Sequence, residues 1–137
     1  MNKHIVILWN IKPSLYTKLA SEIELYWDFQ GGVILNLNNK LQDFVSDIYL
    51  NNAKKISMKI QSMLKRSSRL VCVLYYEGNK NYDAKYVKKT IRNRFSHVVF
   101  DYLYDNLIHI SDDKNEFLSN CAVVNKYASL EYSRFCK

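Results

Sequence analysis

Glycine and proline are scarce in this chain, whose 137 residues include three glycines and one proline. Few residues are therefore available for tight turns or for a flexible linker, which argues against a second domain. Hydrophobic residues make up 48% of the sequence and aromatic residues 14%, a composition that argues against disorder. A chain of this length can bury one sizeable core. We therefore expect a single folded domain over residues 1–137.

Cysteine is also infrequent, and long hydrophobic runs are missing. The three cysteines are Cys72, Cys121 and Cys136, an odd number whose spacings match no metal motif. A reducing compartment is the simplest interpretation. Cys72 lies in the apolar run LVCVL and is expected to be a small core residue. Because no apolar run is long enough for a signal peptide or a membrane span, we expect a soluble cytoplasmic protein with no membrane partner.

Acidic residues are outnumbered by basic ones, 13 to 20, so the formal net charge is +7. A basic surface attracts polyanions such as nucleic acid, nucleotides or anionic membranes, without choosing among them. The basic residues concentrate in the stretches 54–69 and 85–94. Each stretch is either a solvated helical face or a phosphate-binding surface. Eleven tyrosines would allow stacking on nucleic-acid bases, but no recognised aromatic and basic motif is present, so nucleic-acid binding is the least favoured interpretation.

Strand and helix patterns alternate along the chain. Continuous apolar and β-branched runs predict strands over 4–11, 33–38, 69–78 and 107–110. Apolar residues at helical spacing predict helices over 15–29 and 40–50, a third with Ile56, Ile60, Met63 and Leu64 on one face, and a last one from about Lys114 onward. The Gln-Gly-Gly stretch 30–32 is expected to end the first helix. The basic segment between strands three and four accommodates a further short helix. This order favours an α+β fold, a ferredoxin-like sandwich with a four-stranded antiparallel sheet and helices packed on it.

A histidine stands at the end of the last predicted strand, where DNLIHISDD (105–113) places Ser111 two residues after His109. Lys12 follows the first strand, and Arg92 follows the basic segment. The ends of strands present side chains to ligands, and both cations suit phosphate. Imidazole exchanges protons near neutral pH and can act as a nucleophile toward phosphorus. A histidine in an apolar run is also often a hydrogen-bonded core residue, so both interpretations remain open from the residues alone.

Several short motifs, taken in order, resemble the nucleoside diphosphate kinase family. ILWNIKPSLYTKLASEIELYWDFQGGVILNLNN is similar to the family's opening, a strand ending in Val-Lys-Pro-Asp, a helix with Gly-Glu-Ile and a second strand. DIYLNN resembles its His-Tyr segment, and RLVCVLYYEG is similar to its strand ending in Glu-Gly. KKTIRNRF resembles Gly-Thr-Ile-Arg-Gly-Asp-Phe, and DNLIHISDD resembles Asn-Ile-Ile-His-Gly-Ser-Asp-Ser. The resemblance extends over most of the chain.

This resemblance implies a kinase that moves a γ-phosphate between nucleoside triphosphates and diphosphates through phospho-His109. The residues to which it assigns a role are His109, Ser111 and Asn120 for catalysis, and Lys12, Tyr49, Ile56, Ile60, Arg92 and Asn106 for nucleotide or phosphate binding. Tyr49 would stand beside the histidine, and Ile56 and Ile60 would flank the base. The resemblance further implies magnesium bound with the nucleotide, nucleoside diphosphates and triphosphates as partners, and a homo-oligomer of two or more subunits.

The sequence also departs from the family pattern. Ile110 replaces the glycine after the histidine, and a β-branched residue there is expected to crowd the phosphate. Asn120 replaces a glutamate that holds the imidazole; an amide oxygen can still accept the ring N–H, but it brings no charge. The segment before Thr90 is shortened, and Lys85, Lys88 or Lys89 would have to supply its missing cation. A catalytically degenerate nucleotide-binding or protein-interaction module on the same fold is therefore the alternative.

Overall fold

The structure, a computed structural model, describes residues 2–49, 53–78, 81–96, 107–128 and 132–135. The strands and helices in these ranges are β1 (Asn2–Leu8), α1 (Tyr16–Ile23), β2 (Asp28–Asn36), α2 (Leu41–Ile48), α3 (Ala53–Leu64), β3 (Leu70–Gly78), α4 (Ala84–Arg94), β4 (Ile108–Ile110), α5 (Lys114–Ala128) and β5 (Tyr132–Phe135). Short 3-10 helices, Pro13–Leu15 and Asn38–Lys40, lead into α1 and α2.

The strands form one sheet in the order β4-β1-β3-β2-β5, and every neighbouring pair is antiparallel. The predicted α+β class with helices on an antiparallel sheet is confirmed, but the predicted number of four strands is wrong. The fifth strand, β5, pairs with β2 from Gly32 opposite Phe135 to Leu35 opposite Tyr132. A four-residue strand is too short to show a hydrophobic period. Its pairing is decided by the free edge of β2 and by burial of Phe135, which is 8% exposed.

The first helix is shorter than predicted, since α1 ends at Ile23 rather than near Phe29. Residues from Asp28 onward already pair with β3, and a register shift falls between Phe29 and Gly31. Gly31 has φ of 144°, a conformation that suits glycine in a β-bulge. The Gln-Gly-Gly stretch is therefore part of β2 and does not end a helix. Pairing with a neighbouring strand, which the sequence alone does not reveal, overrides the helical spacing of the preceding aromatic residues.

Side chains alternate between two cores, one on each face of the sheet. One core joins even-numbered residues of β1, such as Val6 and Leu8, to α1 and α4. The other joins Ile5, Ile7 and Trp9 to α2, α3 and α5. Because helices cover both faces, the strands read as continuous apolar runs, as predicted for β1. Among the described residues, no helix combines the length and apolar composition that a bilayer span requires.

Candidate active site

His109 is the middle residue of β4, the strand at one edge of the sheet. It pairs with Ile7 of β1, and paired residues project to the same face of an antiparallel sheet. Its ring therefore faces the core that contains α2, α3 and α5. His109 is 6% exposed, so a buried imidazole stands at the sheet edge beneath the last helix.

Two oxygen atoms from α5 contact the same nitrogen of this ring. His109 Nε2 lies 2.9 Å from Asn120 Oδ1 and 3.2 Å from Glu116 Oε1. Carboxylate and amide oxygens only accept hydrogen bonds, so the ring proton belongs on Nε2. The lone pair is then on Nδ1, to which no hydrogen bond from the described residues is directed. The ring is held at one nitrogen and chemically available at the other.

Glu116 was not predicted from the sequence. It lies in the first turn of α5, where Asp113 Oδ1 accepts a hydrogen bond from its backbone N–H at 2.8 Å. The hydrogen bond with His109 is the largest cause that lowers the pKa of the Glu116 carboxyl, partial burial opposes it, and the Lys88 charge adds to the lowering. Its spacing from Asn120, one helical turn, was the signal that could have identified it once α5 was predicted.

Two aromatic rings lie close to the ring of the histidine. The Tyr49 ring lies 5.1 Å from that of His109, edge to face, so the structure brings together these two sequence-predicted residues. The Trp9 ring lies 6.5 Å from His109 and 5.8 Å from Tyr49. Trp9 is fully buried and was missed, although its place two residues after Ile7 puts it on the same face of the sheet.

A buried lysine lies over the Tyr49 ring. Lys59 of α3 is 6% exposed, and its Nζ lies 5.2 Å from the centre of the Tyr49 ring, within the range of a cation–π interaction. A lysine on the apolar stripe of α3, one residue before Ile60, was a signal that sequence reasoning did not use. It places a positive charge one aromatic ring away from the histidine.

The residues that follow His109 have roles in the sheet. The Ile110 side chain belongs to the opposite core with Val6 and Leu8, so it does not face the ring of His109. The expected crowding of a phosphate on that ring would have required it to lie on the same side. Alternation along β4 sends it to the other face. Ser111 is 1% exposed; its Oγ accepts a hydrogen bond from Ile5 N at 3.2 Å. Ser111 therefore extends the pairing of β4 with β1.

The predicted phosphate-binding cations lie at different depths. Arg92 of α4 is half-buried and donates a hydrogen bond of 3.2 Å to the carbonyl of Ile108, next to the histidine in β4. Lys12 is exposed beyond the end of β1. Of the three lysines considered as substitutes, Lys88 pairs with Asp112 at 3.4 Å, whereas Lys85 and Lys89 are exposed.

The predicted base-binding residues lie on α3. Ile60 is 8% exposed and belongs to the core beneath α2 and α5, and Ile56 is half-buried against it. Asn106 lies outside the described residues. Among the described residues, no three histidine, cysteine, aspartate or glutamate side chains form a group that could hold a metal ion.

Comparisons with known proteins show that the fold of this chain is similar to that of solved structures. No family model and no curated protein matches the sequence. Among solved structures, the nucleoside diphosphate kinase of Aquifex aeolicus aligns with a TM-score of 0.58 at 14% identity, covering 90% of this chain and 94% of that one. A transition-state mimic of the Borrelia burgdorferi enzyme with bound vanadate and ADP aligns at 0.58 and 13% identity, covering 89% and 85%. The Halobacterium salinarum enzyme in complex with CDP aligns at 0.54 and 14%, covering 89% and 86%. At these identities the likeness establishes a fold similar to that of nucleoside diphosphate kinases.

Proposed function

We propose that this protein is a phosphotransferase that moves a γ-phosphoryl group from a nucleoside triphosphate to a nucleoside diphosphate through phospho-His109. The observation that carries the proposal is the way the imidazole is held. Nε2 faces two oxygen acceptors on α5, so the nucleophilic lone pair belongs to Nδ1. An oriented, buried imidazole with one defined lone pair is what attack on phosphorus requires.

The reaction is two displacements in sequence. The lone pair of His109 Nδ1 forms a bond to the γ-phosphorus, and the bond from that phosphorus to the bridging oxygen breaks, releasing a nucleoside diphosphate with the electron pair. In the second displacement, a terminal oxygen of another nucleoside diphosphate attacks the same phosphorus, and the P–N bond electrons return to Nδ1. No water enters either step, and the ring ends as it began.

The transferred phosphoryl group needs cationic partners. We assign phosphate contacts to Lys12 and Arg92, and we add Lys59 as a cation on the Tyr49 side of the ring. Arg92 already donates to the carbonyl of Ile108, which keeps its guanidinium beside β4. Asn106 is assigned to the ribose and phosphate side, and Ile56 and Ile60 to the base.

Magnesium would come with the substrate, bound to the nucleotide phosphates, where it offsets their charge. Assembly into a homo-oligomer, expected from the family resemblance, remains part of the proposal. Ser111 is assigned to the support of β4 beside the nucleophile, because its hydroxyl pairs with the backbone of β1.

The test is incubation of the wild-type protein with γ-labelled ATP and magnesium, followed by addition of GDP. We expect acid-labile label on His109 that GDP removes, and no label on His109→Ala. His4→Gln is the matched control, because His4 is the other histidine that the structure describes. Its ring stacks on Trp27 with the centroids 3.8 Å apart, in the opposite core. His4→Gln should label like wild type.

Wild-type protein that takes up no label at saturating nucleotide would refute the proposal. If nucleotide then still raised the melting temperature, the protein would be a nucleotide-binding module on the same fold. Equal labelling of the His109→Ala variant would also refute it, because another residue would then be the acceptor.

A further inference from the structure

Glu116 contacts the candidate nucleophile from a position that the family resemblance does not use. Its carboxylate lies 3.2 Å from His109 Nε2, and Asn120, one helical turn later, lies 2.9 Å from the same atom. Residues four apart on a helix project from the same face. The ring N–H is therefore shared between a neutral amide and a carboxylate, both from α5.

The position of Glu116 is fixed from several sides. Its backbone N–H is capped by Asp113, and its side chain is about two-thirds buried, at 32% relative exposure. The lowered pKa of its carboxyl, caused chiefly by the hydrogen bond from His109, keeps it ionised at neutral pH. The first turn of a helix also favours a negative charge. A fixed carboxylate is thus directed at the one ring nitrogen that carries the proton.

The charge matters because the ring changes its own charge during transfer. When the Nδ1 lone pair becomes a bond to phosphorus and Nε2 keeps its proton, the imidazole becomes a cation. The charge disappears when the P–N bond breaks and its electrons return to Nδ1. An amide oxygen can orient the ring but cannot offset this charge, whereas a carboxylate at hydrogen-bond distance does both.

We propose that Glu116 is a positioning residue of this site: with Asn120 it holds His109 with the proton on Nε2, and unlike Asn120 it supplies a negative charge that offsets the ring cation while phosphate is on Nδ1. The inference rests on the proposed function and deepens it. The carboxylate missing at position 120 is provided one turn earlier on the same face of α5.

Phosphorylation of His109 from ATP in a single turnover tests this, with Glu116→Gln as the variant because glutamine keeps the size and the acceptor oxygen. We expect a rate constant lower by about 10²-fold at unchanged half-saturating ATP concentration. The double variant Glu116→Gln/Asn120→Glu moves the carboxylate by one turn and should recover most of the loss. Glu22→Gln is the matched control: Glu22 is partly buried and pairs with Arg94 at 3.4 Å on the opposite side of the sheet. It should react like wild type.

A purely structural role predicts a different pattern. Glu116→Gln would then melt at a lower temperature but phosphorylate at the wild-type rate once folded, and the double variant would restore nothing. That result would overturn the proposal.

A second phosphoryl donor separates this inference from the proposed function. Phosphoramidate carries no nucleotide and phosphorylates reactive histidines directly, and ³¹P NMR distinguishes the Nδ1 product from the Nε2 product. If ATP gives no label but phosphoramidate labels Nδ1 of His109, and Glu116→Gln slows that labelling about 10²-fold, the kinase function fails and the role of Glu116 stands. Labelling on Nε2, equal rates in both proteins, or an unreactive His109 would overturn it.

Discussion

Asn10 connects the end of β1 to the end of α3 and is 1% exposed. Its Nδ2 donates hydrogen bonds of 2.8 Å to the carbonyls of Met63 and Ser68. The first of these carbonyls is in the last turn of α3, where it also accepts a hydrogen bond of 3.2 Å from the backbone N–H of Arg66. Asn10 thereby fixes the strand end that carries Trp9 against the helix that carries Lys59. The substitution Asn10→Asp keeps the shape and replaces both donated protons with a charged acceptor.

The expected cost follows from these two contacts. Each carbonyl keeps a second donor, Arg66 N on Met63 and Arg69 Nη1 on Ser68, so the two lost bonds cost about 2 kcal/mol together. The buried carboxylate that faces these oxygens at pH 7 adds about 1–3 kcal/mol, which gives roughly 4 kcal/mol in total. For a domain of this size, that corresponds to a melting temperature lower by about 10–15 °C. The carboxyl that the Asn10→Asp substitution introduces, buried among carbonyl oxygens, will have a pKa above its unfolded value of about 3.9.

The pH dependence follows from the sign of that shift. Protonation restores one donor, so the deficit relative to wild type is smallest below the unfolded pKa and grows as the pH rises through the folded pKa. Asn10→Ala removes both donors without adding a charge and should show a deficit that does not change with pH. Urea unfolding followed by circular dichroism at pH 4 and pH 7 measures both variants against wild type.

Asn125→Asp is the matched control, because Asn125 is exposed on α5 and a surface change of this kind is typically within about 0.5 kcal/mol. Equal stability of Asn10→Asp and this control at pH 7 would contradict the role of the two hydrogen bonds. A deficit that is the same at both pH values would contradict the raised pKa of the introduced carboxyl.

Three further predictions concern the cores. Phe135→Ala should lower the free energy of unfolding by about 3 kcal/mol, measured by urea titration, because the ring of this β5 residue is buried; an unchanged midpoint would mean that β5 is not paired in solution. Tyr76→Phe should cost about 1 kcal/mol in the same assay, since the hydroxyl donates to the Ala20 carbonyl at 2.8 Å; full stability would contradict that bond. Burial raises the pKa of Cys72 to about 12, so at pH 8 roughly 10⁻⁴ of this thiol is ionised, and peptide mapping should show alkylation of Cys72 by iodoacetamide only after unfolding. Native labelling of Cys72 as fast as that of Cys121 would contradict it.

Strong local patterns predicted most of the elements. The apolar runs of β1 and β3 are buried by helices on both faces, and such strands carry an uninterrupted signal. The spacing of Leu41, Phe44, Val45 and Ile48 predicted α2, because that stripe is the face the helix buries. Weak or competing patterns gave wrong predictions. The β5 strand is too short to show a hydrophobic period. The apolar spacing of the first helix continues through Trp27, so the start of β2, which pairs with β3, was predicted as helix.

In the candidate site, too, the sequence identified some residues and missed others. His109 and Asn120 were identified from motif order, and their contact follows from a strand, a short connection and a helix that returns over the strand. Trp9, Lys59 and Glu116 were missed. Each belongs to an element that was predicted, but its contact with the site depends on which faces of separate elements meet. The side of β4 on which Ile110 lies also depends on register, since a shift of one residue exchanges the two faces.

The sequence by itself determined the local chemistry of this protein: where most of the strands and helices form, which faces they bury, that the chain is basic, and that a histidine stands at the end of the last predicted strand. These properties depend on neighbours within a few residues along the chain. Only the tertiary structure decided that a fifth strand closes the free edge of β2. It also decided that Glu116 shares the Nε2 proton of His109 with Asn120. Both depend on pairing and packing between separate elements, which local sequence patterns do not specify.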